Sequence, residues 1–163
     1  MSMTAARTLT SPQMAALRQI LQRYRGQGGA YLLPCLHEAQ AVTGWLDADT
    51  CTEISRALNV PLVQVHEVIE FYTLFYNEPV GRRIVRVCDD PPCFLAGSSE
   101  IVRACARQLG VDEKGGTSSD GRVTLEIHPC LGRCEQAPFL MIDDDAHGHV
   151  QPAQIPDLLG EGA

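Results

Sequence analysis

The number and placement of the cysteines constrain this chain more than any other feature of its sequence. Seven of the 163 residues are cysteine, an odd number, and no basic region followed by an apolar stretch opens the chain. An odd count without a secretion signal argues against a disulfide framework and for a reducing compartment. We therefore expect these cysteines either to fill the core or to act as thiolates.

Three of the cysteines lie on apolar faces of predicted helices. Cys105 stands between Ile101 and Leu109 at i, i+4 spacing, and Cys35 and Cys51 lie in similar apolar patterns. A free cysteine is among the most buried residue types and packs as a small hydrophobic side chain. These three residues are therefore predicted to fill the core.

The other four cysteines form two close pairs, and each pair follows a predicted β-strand. Cys88 and Cys93 have a C-x4-C spacing, and Cys130 and Cys134 have a C-x3-C spacing after a later strand. If the two strands are neighbours in one sheet, their ends bring all four thiols to one point. Core packing gives no reason for this arrangement, so we interpret the four residues as candidate metal ligands.

Four converging thiolates have two main uses in a reducing compartment. A structural zinc ion accepts four cysteine ligands, most often from tight C-x2-C knuckles. A [2Fe–2S] cluster also needs four cysteines, two on each iron, and spans more space than a single ion. The looser spacings of this chain favour the iron–sulfur cluster. Spacing alone leaves open a structural four-cysteine zinc-binding interaction module with no redox role.

Apolar periodicity divides the chain into a helical first half and an α/β second half. Helices are predicted over 11–24, 32–43 and 50–58, the third beginning at a capping box of Thr50 and Glu53, and a fourth opens at Pro61. The second half is predicted to contain strands at 83–87, 123–127, 139–142 and 149–151, helices at 98–109 and from 156, a loop at 115–121 and a turn at 143–148. The fold class is therefore α+β, with a helical domain over 1–80 and an α/β domain over 81–163.

Composition excludes several classes of partner. The chain has 13 Lys and Arg against 20 Asp and Glu, a net charge of −7, and nucleic-acid binding needs clustered basic residues instead. The apolar runs are shorter than the roughly 18–20 residues that a membrane helix requires, so no direct membrane insertion is expected. We find no P-loop and no G-x-G-x-x-G dinucleotide fingerprint in the sequence.

The two cysteine motifs resemble those of a known family. Cys-Asp-Asp-Pro-Pro-Cys at 88–93, and Cys-Leu-Gly-Arg-Cys at 130–134 with Ala137-Pro138 after it, are similar to the motifs of the 24-kDa subunit family of respiratory complex I. That thioredoxin-like [2Fe–2S] ferredoxin family includes the small subunits of NAD-dependent formate dehydrogenases and NAD(P)-linked hydrogenases. The resemblance covers roughly residues 30–160, and further landmarks in family order are Leu36 to Gln40, Gly44 to Leu46, Phe71 to Phe75, Pro79 to Gly81 and Asp120 to Arg122.

The resemblance implies a helical N-terminal bundle followed by a thioredoxin-like α/β domain that carries one [2Fe–2S] cluster. Cys88 and Cys93 would ligate one iron, and Cys130 and Cys134 the other. The chain would be an electron-transfer subunit, without catalytic residues of its own, in a complex of the complex I, formate dehydrogenase or hydrogenase type. FMN and NAD(H) would be bound by a partner flavoprotein subunit, with further iron–sulfur subunits in the same complex.

Two features bear on the location and on the surroundings of the cluster. The N-terminus is short and has no Arg- and Ser-rich presequence, which favours the bacterial cytoplasm, or the cytoplasmic side of a membrane-bound complex. Asp89-Asp90 and His128-Pro129 depart from the residues usual in the family. Neither departure removes a ligand, but both lie beside the ligands, so the redox potential and the docking of relatives do not carry over.

Overall fold

The computed structural model describes residues 9–160 of the chain. It divides into two compact units, Met1–Pro79 and Val80–Ala163. The outermost parts of the two predicted domains, residues 1–8 and 161–163, lie outside the described residues. Within 9–160 there are seven α-helices and one five-stranded sheet, and the predicted α+β class is confirmed. No helix in this range is both long and apolar enough to cross a membrane.

The first unit is helical throughout its described part. Its helices are α1 (Ser11–Arg23), α2 (Leu32–Thr43), α3 (Ala48–Leu58) and α4 (Leu62–Phe71), with a 3-10 turn at Gly29–Tyr31. Thr10 caps α1 through a capping box with Gln13, and Gly44 ends α2 in a left-handed conformation with φ of 82°. These local signals explain why the first two helices lie close to where the sequence predicts them.

The predicted start of the third helix is wrong by two residues. The carboxylate of Asp47 accepts a hydrogen bond of 2.7 Å from the backbone N–H of Thr50, so Asp47 is the N-cap and α3 begins at Ala48. Thr50 is instead buried inside the first turn. Asp is as good an N-cap as Ser or Thr, and the competing capping box of Thr50 and Glu53 therefore does not form.

The three cysteines predicted to fill the core do so. Cys35 and Cys51 are fully buried in the core of the first unit, and Cys105 is fully buried in the core of the second. Burial raises the pKa of Cys35 and of Cys51 to about 11, and that of Cys105 to about 12. All three therefore pack as neutral thiols inside the two cores.

The second unit is a five-stranded mixed sheet with helices. Its elements are β1 (Arg83–Cys88), α5 (Pro91–Leu95), α6 (Ser98–Leu109), β2 (Gly116–Thr117), β3 (Val123–His128), β4 (Leu140–Ile142), β5 (Asp145–His147) and α7 (Ile155–Leu159). The strand order is β2-β3-β1-β4-β5, with β1 parallel to β3 and antiparallel to β4. The peptide bond between Ala137 and Pro138, just before β4, is cis. The sheet thus places the two strands that precede the cysteine pairs side by side.

The core of this unit follows the apolar patterns of the sequence. Val85 and Val87 of β1 and Leu125 of β3 are buried against α6 and α7. Ile101, Cys105 and Leu109 form the buried face of α6, as their i, i+4, i+8 spacing predicts. The helix α6, which connects the parallel strands β1 and β3, is thereby fixed on the sheet. Its first turn follows the short helix α5 directly along the chain.

Three short elements differ from the sequence-based prediction. The returning strand is Asp145–His147, inside the predicted turn, and the predicted strand at 149–151 is wrong. Asp143 adopts a left-handed conformation with φ of 55°, so the chain reverses at once and Asp145 pairs with Ile142. The predicted loop at 115–121 contains β2, and the short helix α5 between the first two candidate ligands was not predicted. Elements of two to five residues are too short to show a period.

Candidate metal centre

The sheet brings the two cysteine pairs to one edge. Cys88 is the last residue of β1 and lies opposite His128, the last residue of the parallel strand β3. Cys130 follows two residues later, and Cys134 opens a 3-10 turn. Cys93 lies in α5, directly after β1. Parallel strands end at the same edge, so the two cysteine pairs lie at one edge of the sheet.

One pair of candidate ligands is buried and the other is exposed. Cys88 and Cys93 are 2% and 1% exposed and form a small apolar cluster with Phe139, against which Leu131 packs. The backbone N–H of Cys88 donates to the carbonyl of Phe139 over 3.1 Å. Because Leu131 belongs to the loop between the other two cysteines, this contact holds the second pair next to the first.

The exposed pair is arranged by its own loop. The sulfur atoms of Cys130 and Cys134 lie 3.6 Å apart, and the backbone N–H of Gly132 donates to the Cys130 sulfur over 3.4 Å. Gly132 has a φ of 79°, in the left-handed region that glycine adopts without steric cost. A side chain at this position would strain the turn that directs the N–H towards the sulfur.

Electrostatic interactions link the two pairs. The pKa of Cys93 is raised to about 11, first by burial and next by its hydrogen bond with Cys88, and the charge of Cys134 adds to the increase. The pKa of Cys134 is raised chiefly by its hydrogen bond with Cys130, with smaller effects from the charges of Asp90 and Cys88. A cation bound among these sulfurs would remove this repulsion and favour the thiolates.

The donor set consists of two pairs of thiols, and the exposed pair has the spacing of two ligands of one tetrahedral metal ion. Two thiolates at about 2.3 Å from one tetrahedral ion lie about 3.8 Å apart, close to the 3.6 Å between the sulfurs of Cys130 and Cys134. The second pair, Cys88 and Cys93, supplies two further sulfurs in hydrogen-bonding contact. Within residues 9–160, no set of three or more His, Cys, Asp or Glu side chains is gathered around a single point. The sulfurs are thus arranged as two pairs.

A hydrogen bond between Ser98 and Asp89 fixes the loop between the first two candidate ligands. The hydroxyl of Ser98, which is fully buried at the start of α6, donates to the carboxylate of Asp89 over 3.0 Å. The backbone N–H of Asp89 donates to the carbonyl of His128 over 3.0 Å. Sequence reasoning identified Asp89 as a departure from the family but missed its partner, because a contact across nine residues leaves no local pattern.

Comparison with known proteins decides the family. A family model described as thioredoxin-like [2Fe–2S] ferredoxin matches residues 17–162. The chain belongs to this family. It is 36% identical over 151 residues to one of the NADH-quinone oxidoreductase subunits of Pseudomonas aeruginosa, covering 93% of this chain and 90% of that protein. It is 35% identical over 135 residues to HndA, a subunit of the NADP-reducing hydrogenase of Solidesulfovibrio fructosivorans. The match covers 83% of this chain and 78% of HndA.

A solved structure supports the same assignment. The chain superimposes on part of an NAD⁺-reducing [NiFe]-hydrogenase, crystallised in the air-oxidised state, with a TM-score of 0.70 and 25% identity. The match covers 79% of this chain and 22% of the hydrogenase chain. The family predicted from the cysteine motifs is therefore confirmed, and the cofactor of this family is a [2Fe–2S] cluster.

Proposed function

We propose that this chain is an electron-transfer subunit in which Cys88 and Cys93 hold one iron of a [2Fe–2S] cluster and Cys130 and Cys134 hold the other. The observation that carries the proposal is the convergence of two cysteine pairs at the shared edge of β1 and β3. The cluster supplies one-electron chemistry when bound. Phe139 keeps water from the buried pair, whereas the exposed pair leaves the other side of the cluster close to the surface.

The partner in this proposal is a flavoprotein subunit that binds FMN and NAD(H), in a complex with further iron–sulfur subunits. Two relatives are named as subunits of NADH-quinone oxidoreductase and NADP-reducing hydrogenase, which supports an NAD(P)-linked complex. This chain has no dinucleotide fingerprint of its own. A bacterial cytoplasmic location, or the cytoplasmic face of a membrane complex, suits thiolate ligands because they need a reducing compartment.

Metal analysis tests the cofactor directly. Anaerobically purified chain should be red-brown and should contain about two irons and two acid-labile sulfides per chain. Dithionite should bleach the colour and produce the electron paramagnetic resonance of a reduced one-electron centre. A colourless sample with one zinc per chain would instead establish the structural zinc module and contradict the proposal.

An apolar surface beside Cys93 is the proposed contact with the flavoprotein subunit. The next two residues in α5, Phe94 and Leu95, are 56% and 85% exposed. Large exposed apolar side chains next to a redox centre suit a docking contact, because interface anchors are mostly buried apolar and aromatic residues. Electron transfer also requires the partner to approach this side of the chain.

Replacing both Phe94 and Leu95 by glutamate should weaken binding of the purified flavoprotein subunit by at least about tenfold. Two apolar contacts would be lost, and two charges would be buried in the contact. The iron content should not change. Isothermal titration calorimetry measures the dissociation constant, and stopped-flow absorbance measures reduction of the cluster by NADH. The matched control is Val63→Glu, which alters an apolar side chain of the first unit that is 63% exposed and should leave both values unchanged. Equal binding by Phe94→Glu/Leu95→Glu and wild-type chain would place the contact elsewhere.

A further inference from the structure

Two adjacent carboxylates lie between Cys88 and Cys93, and their surroundings differ. Asp89 is exposed, and its carboxylate accepts the hydrogen bond of 3.0 Å from the buried hydroxyl of Ser98. Asp90 is half-buried and forms no ion pair among residues 9–160. The fold thus binds the first carboxylate through a hydroxyl and leaves the second without a cation.

Two prolines explain why the Asp90 carboxylate does not cap α5. Asp90 is the N-cap of this helix, and an N-cap carboxylate normally accepts from the backbone N–H of the second or third helical residue. The first two helical residues are Pro91 and Pro92, which have no N–H, and the side chain of Asp90 makes no capping hydrogen bond. The backbone carbonyl of Asp90 accepts from the N–H of Phe94 over 2.9 Å. Its backbone is therefore held by the helix, whereas its carboxylate is not used there.

The position of Asp90 brings its charge close to the proposed ligands. It stands two residues after Cys88 and three before Cys93, the two thiols of the buried pair. In the exposed pair, the pKa of Cys134 is raised first by its hydrogen bond with Cys130, and the charge of Asp90 adds to the increase. A carboxylate without a cation in this position disfavours further negative charge on the sulfurs.

The other charged groups beside the exposed pair are arranged differently. Arg133 lies between Cys130 and Cys134 in the sequence, and its guanidinium is 3.9 Å from the carboxylate of Glu135. The side chains of Arg133 and Glu135 are 51% and 64% exposed. Opposite charges at this distance offset each other, and water and salt screen exposed charges. The half-buried charge of Asp90 is neither paired in this way nor screened to the same extent.

We propose that the carboxylate of Asp90 keeps the reduction potential of the [2Fe–2S] cluster low. Two ferric ions, two sulfides and four thiolates carry a net charge of about −2, and uptake of one electron converts one ferric ion to ferrous and adds one negative charge. A nearby carboxylate raises the energy of the reduced form more than that of the oxidised form. The inference rests on the proposed function and adds to it a residue that sets how readily this subunit accepts an electron.

A redox titration of the full chain with dithionite, followed by the electron paramagnetic resonance of the reduced cluster, tests the role of Asp90. Asp90→Asn removes the charge at nearly constant volume and should favour reduction about threefold, a rise in midpoint potential of about 30 mV for a one-electron couple. Asp90→Ser also removes the charge and should raise the potential by a similar amount. Asp90→Glu keeps the charge and should stay close to wild type. Asp89→Asn, the same change of charge at the exposed neighbour, should give a clearly smaller rise.

The outcomes separate this inference from the proposed function. An unchanged midpoint potential in both Asp90→Asn and Asp90→Ser, with about two irons still bound, would overturn the role of Asp90 and leave the electron-transfer function standing. An equal rise in Asp89→Asn would also overturn it, because the potential would then follow the total charge of the loop. So would an equal rise in Asp90→Glu, because the charge would then not be the cause. Wild-type chain without iron would contradict the proposed function itself, and this inference with it.

Discussion

Replacing Cys88 by alanine should leave the purified chain without its iron–sulfur cluster. Cys88 is 2% exposed at the end of β1, and no other described thiol can take its place beside Cys93, because Cys35, Cys51 and Cys105 are buried in the cores. An iron with one cysteine ligand missing would be open to water and would be lost on purification. Cys134→Ala should have the same effect from the exposed side. Iron and sulfide analysis, with the visible absorption spectrum, measures both.

Cys105→Ala is the matched control for this prediction. Cys105 is also fully buried, but it packs between Ile101 and Leu109 on α6 and faces the sheet core. Its loss removes one sulfur atom from a packed site and should cost about 1 kcal/mol of unfolding free energy, measured by urea denaturation. The cluster should remain. A variant of Cys105 that loses its iron, or a variant of Cys88 that keeps it, would show that the ligands are assigned wrongly.

Local patterns explain which parts of the fold could be predicted. The i, i+4, i+8 spacing of Ile101, Cys105 and Leu109 identifies the buried face of α6, because one turn of helix repeats every 3.6 residues. The alternation in Val123 to Ile127 identifies β3 in the same way. The strand Asp145–His147 could not be found, because its three residues are polar or small and its pairing follows from the left-handed conformation of Asp143.

The candidate site was predictable in its residues but not in its geometry. The spacings of the four cysteines and the family motifs identify them as candidate ligands from the sequence alone. That β1 and β3 are parallel neighbours, and that Ser98 holds Asp89, are consequences of how the sheet and α6 pack.

The apolar side of the candidate site depends on one aromatic ring, so Phe139→Ala should have the second large effect. Phe139 is 2% exposed and packs with Cys88 and Cys93. Truncation of a buried phenylalanine to alanine costs about 3–5 kcal/mol of unfolding free energy and leaves a cavity. Here the cavity lies against two of the proposed ligands. We therefore expect both a lower unfolding midpoint in urea and faster loss of the cluster in air, measured by the decay of its visible absorbance.

A second core variant separates these two effects. Leu125→Ala removes a side chain that is 1% exposed in the core of the same unit and should cost about 2–5 kcal/mol, a similar loss of stability. It leaves the apolar contacts among Cys88, Cys93 and Phe139 unchanged. Under conditions in which both variants are folded, loss of the iron–sulfur cluster should be fast only in Phe139→Ala, because only there does water reach the buried sulfurs of Cys88 and Cys93. Phe139→Leu, which keeps most of the volume, should lie between wild type and Phe139→Ala. Equal rates in Phe139→Ala and Leu125→Ala would mean that global stability, and not the ring beside the sulfurs, protects the cluster.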